Sequence, residues 1–173
     1  MLLYHGSNTD IKEINLSMCR PYMDFGQGFY LTELKDQTVK MAARVARLYK
    51  GAPVLNIYEI DDSFRRQTDI NIKDFGDETS PEWARFVRNN CSRSFHDFTS
   101  LECNHDNKYD IVIGHIADKD MAMLFLQYEN ENGMISFEYM LRGMIYKKTS
   151  NQYSLHTEKA ISLLKKIEVV FYD

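Results

Sequence analysis

Three short segments, far apart in the chain, constrain the fold more than any other feature. They are Tyr4-His5-Gly6-Ser7, Phe25-Gly26-Gln27-Gly28-Phe29-Tyr30 and Asn151-Gln152-Tyr153. Each falls at or beside an expected β-strand, and each supplies a group that one shared site would need, which asks that the three meet. A fold that suits this chain must therefore bring two N-terminal segments and one C-terminal strand to a common place.

The rest of the pattern is that of a mixed chain with strands at both ends. Leu2 to His5 reads as a first strand, and Thr9 to Asp24 as a loop with at most one helical turn. Gly28 to Thr32 is expected to be a second strand. A helix opens at Asp36-Gln37, with Val39, Ala42, Ala43, Ala46 and Leu48 or Tyr49 as its apolar stripe, and ends at Gly51-Ala52-Pro53. Val54 to Ile60 alternates as a strand does. Phe64 to Phe75 is ambiguous. Ser80 followed by Pro81 predicts an N-capped helix over Glu82 to Asn90. Ser92 to Lys108 reads as loop, and Tyr109 to Ile113 as a buried strand. Helices are expected over Asp120 to Tyr128 and Ser136 to Arg142. A strand then covers Gln152 to His156, a short helix capped by Thr157 runs through Leu164, and Ile167 to Tyr172 is the last strand.

With 173 residues and no repeat or linker, a single domain over 1–173 is expected. The 21 basic against 25 acidic residues give a formal charge of -4, which disfavours a broad nucleic-acid-binding surface. No apolar run is long enough to span a bilayer, and Met1 leads directly into Leu2-Leu3-Tyr4 without a signal-like region. Cys19, Cys91 and Cys103 lack metal-ligand spacing and read as free thiols, so the expected location is cytoplasmic, with no membrane partner. His96 and His105 with Cys91 and Cys103 do not form a zinc pattern either.

The chemistry that the three segments suit is the splitting of a nicotinamide–ribose bond. Nicotinamide leaves as a neutral ring, and the ribose acquires oxocarbenium character. A protein helps by fixing the ring, holding the ribose hydroxyls and placing negative potential near the ribose. An imidazole at His5 can donate to ribose hydroxyls. Gly6, without a side chain, lets its backbone approach a flat carboxamide. Ser7 adds a small hydroxyl. Gly26 and Gly28 allow a tight bend, and Tyr30 offers a ring that can stack on nicotinamide. Gln152 can hold a hydroxyl but carries no charge. Taken singly, each has a plainer reading: a turn after a strand, a core tyrosine beside a bulge, and a polar strand residue.

Together the segments resemble the ADP-ribosyltransferase superfamily, most closely the branch of the poly(ADP-ribose) polymerases and diphtheria toxin with its His-Tyr-Glu triad. That branch carries His-Gly-Ser, where this chain has His5-Gly6-Ser7. It carries Phe-Gly-x-Gly-aliphatic-Tyr-Phe, where this chain has Phe25-Gly26-Gln27-Gly28-Phe29-Tyr30-Leu31. It carries Asn-Glu-Tyr, where this chain has Asn151-Gln152-Tyr153. The resemblance implies an α+β fold with a split β-sheet core and flanking helices. It implies NAD as co-substrate. His5 would hold a ribose, Gly6 would clamp the carboxamide, Ser7 would assist the adenosine side, and Tyr30 would stack on nicotinamide. Thr38 stands where the polymerases have a carboxamide-binding Ser, and Met41 where they have a second stacking Tyr.

Gln152 in place of Glu is the main departure. Loss of one such electrostatic group costs on the order of 10²–10³ in rate elsewhere. The resemblance thus implies mono-ADP-ribosyl transfer to a protein or nucleic-acid acceptor, not polymer synthesis, with His5, Tyr30 and Gln152 as catalytic residues. Glu158 is one candidate for a compensating carboxylate. The lack of any segment before His5 for a regulatory helical domain fits a stand-alone bacterial-type enzyme, toxin or effector. Two alternatives stay open: a non-catalytic module that binds NAD or ADP-ribose, and the toxin half of a toxin–antitoxin pair whose antitoxin partner covers the cleft.

Overall fold

Val54 to Ile60 is rich in side chains that favour extended backbone, is buried at six of its seven positions, and is a strand with the expected bounds. The computed structural model describes residues 1–117 and 151–173, with Leu124, Gln127, Ser136, Glu138, Tyr139 and Arg142 from the stretch between. The helices expected over Asp120 to Tyr128 and Ser136 to Arg142 lie largely outside the described residues.

Among the described residues seven strands form one sheet: β1 (Leu2–Ser7), β2 (Phe29–Thr32), β3 (Val54–Ile60), β4 (Ile72–Asp74), β5 (Ile111–His115), β6 (Asn151–Leu155) and β7 (Leu164–Phe171). Their order is β4-β5-β6-β2-β1-β3-β7. β4 and β5 run parallel, and the other neighbours are antiparallel. Among the described residues three α-helices have both ends in view: α1 (Lys35–Tyr49), α2 (Pro81–Cys91) and α3 (Glu158–Ile161). The chain is thus α+β. No helix among the described residues is long and apolar enough to cross a membrane. The three cysteines are free thiols.

Several elements follow from local chemistry. The Ser80 side chain accepts from the Trp83 N–H, and Pro81 takes the first helical turn, so α2 starts where the sequence predicts. Thr157 caps α3 in the same way. Other expectations are corrected. Leu164 opens β7 instead of closing α3, because its backbone pairs with Ile60 of β3. The ambiguous stretch resolves into a 3₁₀ turn at Asp62–Arg66 and the three-residue β4. On α1 the buried residues are Thr38, Ala42 and Ala46, while Leu48 and Tyr49 are exposed. Small side chains spaced by four let this helix lie close on the sheet.

The two faces of the sheet are filled differently. One face carries Leu3, Phe29, Leu31, Tyr58, Ile111, Ile113, Tyr153 and Leu155, joined by Phe64 and Ile70 in one apolar cluster. On the other face α1 lies over β1 and β3. Trp83, Phe86 and Val87 of α2 pack with Phe25 and with Val112 of β5. The inner strands β2 and β6 lie between these two helix-covered regions. There the same face carries Tyr30, Thr32, Gln152 and Ser154, set opposite one another by the pairs Tyr30↔Ser154 and Thr32↔Gln152.

Candidate active site

The three motif segments lie on neighbouring strands. His5 is on β1, Tyr30 on β2 and Gln152 on β6, in the order β6-β2-β1. β1 pairs with β3 at every position from Leu2↔Glu59 to Ser7↔Val54, but with β2 only at Tyr4↔Thr32. Beyond Tyr4 the two strands part. The gap is spanned by a side chain: His5 Nδ1 donates to the Tyr30 carbonyl at 2.7 Å.

That bond fixes two features. Backbone groups alternate in direction along a strand. Since the Tyr30 carbonyl is turned toward β1, so are the groups of Thr32, and those of its partner Tyr4 point back. Two residues on, the N–H and C=O of Gly6 are therefore directed into the gap. The bond also sets the imidazole tautomer. A carbonyl can only accept, so the proton sits on Nδ1. Burial, partly offset by this hydrogen bond, lowers the pKa of His5. The neutral ring then presents Nε2 as a lone pair, which can accept from a donor such as a hydroxyl. This reverses the expectation that His5 donates. The ring itself stacks on Phe29, 4.4 Å between centroids at 25°.

Gly6 also has a packing reason to be glycine. A Cβ there would stand 2.6 Å from the Thr38 carbonyl oxygen and 2.9 Å from the Ala42 nitrogen, so α1 could not cross so closely. The backbone of Thr38 therefore lies against Gly6. The Thr38 hydroxyl, however, is buried and donates to the Leu34 carbonyl at 2.9 Å. Met41 stands exposed on α1. Ser7 is buried, and its Oγ accepts from the Thr9 N–H at 3.3 Å, which holds the turn after β1.

Tyr30 projects to the opposite face from His5. Its hydroxyl donates to the Gly26 carbonyl at 2.7 Å and accepts from the Phe25 N–H at 2.9 Å. The loop can return on the phenol because Gly26 adopts φ 95°. One side of the ring lies along Phe25, with centroids 6.4 Å apart at 21°. Gly28 leaves room for His156, whose Nδ1 would be 2.6 Å from a Cβ there. His156 Nδ1 donates to the Gln27 carbonyl at 2.9 Å, and its Nε2 accepts from the Ser154 hydroxyl at 2.7 Å. Burial pushes its pKa down to about 4. This buried neutral pair ties the glycine loop to β6.

Gln152 is buried, and its amide is not free. Nε2 donates to Asp24 Oδ2 at 2.7 Å and also reaches the His115 carbonyl at 3.4 Å. The Ala117 N–H donates to the same Asp24 oxygen at 3.1 Å. Burial raises the Asp24 carboxyl above its ordinary value, and the bonds from Gln152 and Ala117 partly offset this. Burial, and next the nearby Asp24 charge, push the Tyr30 phenol well above its usual range. Asp24, Tyr30 and Gln152 therefore form one group. Sequence reasoning missed Asp24. Its one local signal is that it abuts Phe25-Gly26, and its partner lies 128 residues away.

Glu158 is not part of this group. It is exposed in the first turn of α3, past the other end of β6. Gln152 to Leu155 alone spans about 10 Å of strand.

Alternation puts Asn151 and Tyr153 on the reverse side of β6. There a cleft of about 450 Å³ is lined by Glu33, Arg65, Asp74, Asp77 and His115 as well as these two. Arg65 pairs with Asp74 at 2.5 Å, and the Tyr153 hydroxyl donates to Glu33. Asn151 Nδ2 donates to Asp77 Oδ1 at 2.9 Å. This second polar site was not foreseen.

Comparison with the curated proteins and with the solved structures returns no match. One family model, described as a protein of unknown function (DUF3990), matches residues 1–166 and so spans all three motif segments, and the chain belongs to that family.

Proposed function

We propose that the protein is an NAD-dependent mono-ADP-ribosyltransferase that passes ADP-ribose to a macromolecular acceptor and releases nicotinamide. The observation that carries this reading is the parting of β1 from β2, with the Gly6 backbone donor and acceptor directed into the gap and Tyr30 on its far side. A carboxamide has one acceptor and two donor hydrogens in a plane, which is what the edge of a parted strand can bind. NAD supplies such a group and a C–N bond whose electron pair leaves with the nicotinamide ring.

The chain's own groups divide the work. Gly6 binds the carboxamide, and the Tyr30 ring supports the nicotinamide. His5 Nε2 accepts from a ribose hydroxyl. The Gln152 Oε1 accepts from another, with its Nε2 end already held. The parted strands also favour a split-sheet core of the ADP-ribosyltransferase kind. The acceptor nucleophile bonds to the anomeric carbon as the C–N bond breaks, and its proton passes to solvent. Since Gln152 has no charge of its own, single transfers are expected and polymer synthesis is not.

The test is incubation with NAD labelled in its adenylate, following both label on macromolecules and free nicotinamide. The native protein is expected to give both, and Tyr30→Ala neither. Absence of nicotinamide release from the native protein would refute the enzymatic reading. The uncharged Gln152 favours a second reading, a module that binds NAD or ADP-ribose without turnover. Calorimetry with NAD that shows tight binding and no release would establish it. An antitoxin-type partner remains a subsidiary proposal, checked by whether a co-purified chain blocks NAD binding.

A further inference from the structure

We propose that Asp24 is the carboxylate of this site, acting through Gln152 as a positioning residue, so that the pair does what a single glutamate on β6 would do. The inference rests on the transferase reading and names how its charge is supplied.

The argument starts from the amide. A glutamate would offer two acceptor oxygens and a charge. Gln152 keeps one acceptor, Oε1, but a glutamine in isolation can present either end to a ligand. Here the choice is made: Nε2 is held by Asp24 Oδ2 at 2.7 Å and by the His115 carbonyl. Oε1 is left as the end that accepts. The missing charge stands one hydrogen bond behind it. Moving a charge from about 4 to about 7 Å weakens its Coulombic pull by roughly half, which is a reduction and not a loss. The carboxylate also polarises the amide and makes Oε1 a better acceptor. Asp24 is kept there by structure. It precedes the Phe25-Gly26 turn, whose Gly26 N–H is bound by the Met23 carbonyl at 2.9 Å, and the Ala117 N–H donates to the same carboxylate oxygen. The acidic group and the amide have thus exchanged places: the strand carries the amide and the loop carries the acid.

The arrangement alters what Gln152→Glu would do. That change alone would set two carboxylates in contact, so one would hold a proton or turn away. The informative set is Asp24→Asn, Gln152→Glu and the double variant. Asp24→Asn keeps an oxygen that can accept from Gln152 and Ala117, so the loop is retained. It is expected to lower nicotinamide release on the order of 10²-fold, with the NAD dissociation constant within about threefold of native. Its melting temperature should not fall, since a desolvated charge is removed. Gln152→Glu alone should also lose activity. The double variant, with acid on the strand and amide on the loop, should recover to within about tenfold of native.

A native rate in Asp24→Asn, beside loss in Tyr30→Ala, would overturn the inference and leave the transferase reading intact. A double variant no better than the singles would overturn it as well, since a purely structural role predicts no rescue. A native protein that neither binds nor splits NAD would remove both the reading and the inference.

Discussion

The two faces of the inner strands β2 and β6 are built from alternate residues of the same short segments, yet they differ in kind. Phe29, Leu31, Tyr153 and Leu155 point one way into a continuous apolar cluster. Tyr30, Thr32, Gln152 and Ser154 point the other way, and each side chain makes at least one hydrogen bond through a polar atom. The first face supplies stability through area removed from water. The second contributes little net free energy, because each buried hydrogen bond mostly replaces one to water. It supplies orientation instead. The lesson is that an ordered row of polar side chains is held in place by strands whose reverse side is anchored in the core.

The sharpest way to break this comparison is to truncate the apolar face. Leu31→Ala should cost about 2–5 kcal/mol of stability in urea unfolding, while the folded fraction keeps its NAD affinity. Loss of binding without loss of stability would show that the faces are not separable.

Acid titration probes the polar face. His156 has its pKa depressed to about 4 by burial, against 6.5 for the ordinary ring. The unfolded chain binds the extra proton first, so stability is full above about pH 6.5 and falls as pH drops toward 4, by on the order of 3 kcal/mol. His5, also lowered by burial, acts in the same sense. Asp24, with a raised pKa, acts in the opposite sense: its contribution is present at low pH and is lost as pH rises through its folded value. Urea midpoints across pH 4–7 should therefore fall toward acid in the native protein. They should fall less steeply in His156→Asn, which starts from a lower midpoint.

Gly6→Ala tests the contact of α1 with β1. Its Cβ would meet backbone atoms of Thr38 and Ala42, which cannot swing aside. A cost of about 1–3 kcal/mol is expected, with NAD binding weakened further because the gap beside β2 shifts. Equal loss in stability and in binding free energy would mean that the gap does not depend on this contact. Smallest is Ser80→Ala at the α2 cap, expected to cost about 1 kcal/mol and to leave nicotinamide release unchanged.

Much of the fold was legible where a local rule acts alone. Ser80-Pro81 marked α2, and a run rich in β-branched and aromatic side chains marked Val54–Ile60. The rule failed where neighbours decide. Gly114 and His115 carry no apolar signal, yet they extend β5, with Gly114 closed in by Phe25, Phe75 and Trp83. β4 has only three residues, too few to show a period. In the site, His5, Gly6, Tyr30 and Gln152 were legible as residue types, and the bond from His5 to the Tyr30 carbonyl was not.

The sequence by itself determined which side chains are present and which local segments turn, pair or coil, because capping, alternation and glycine freedom act over a few residues. Only the tertiary structure decided that β1 parts from β2, that His5 donates from Nδ1 to the Tyr30 carbonyl, and that the acid beside Gln152 is Asp24 and not Glu158. Those outcomes depend on strand order and register between residues from 25 to 128 positions apart. No local rule reaches that far, since a shift of one residue would turn Gln152 to the other face.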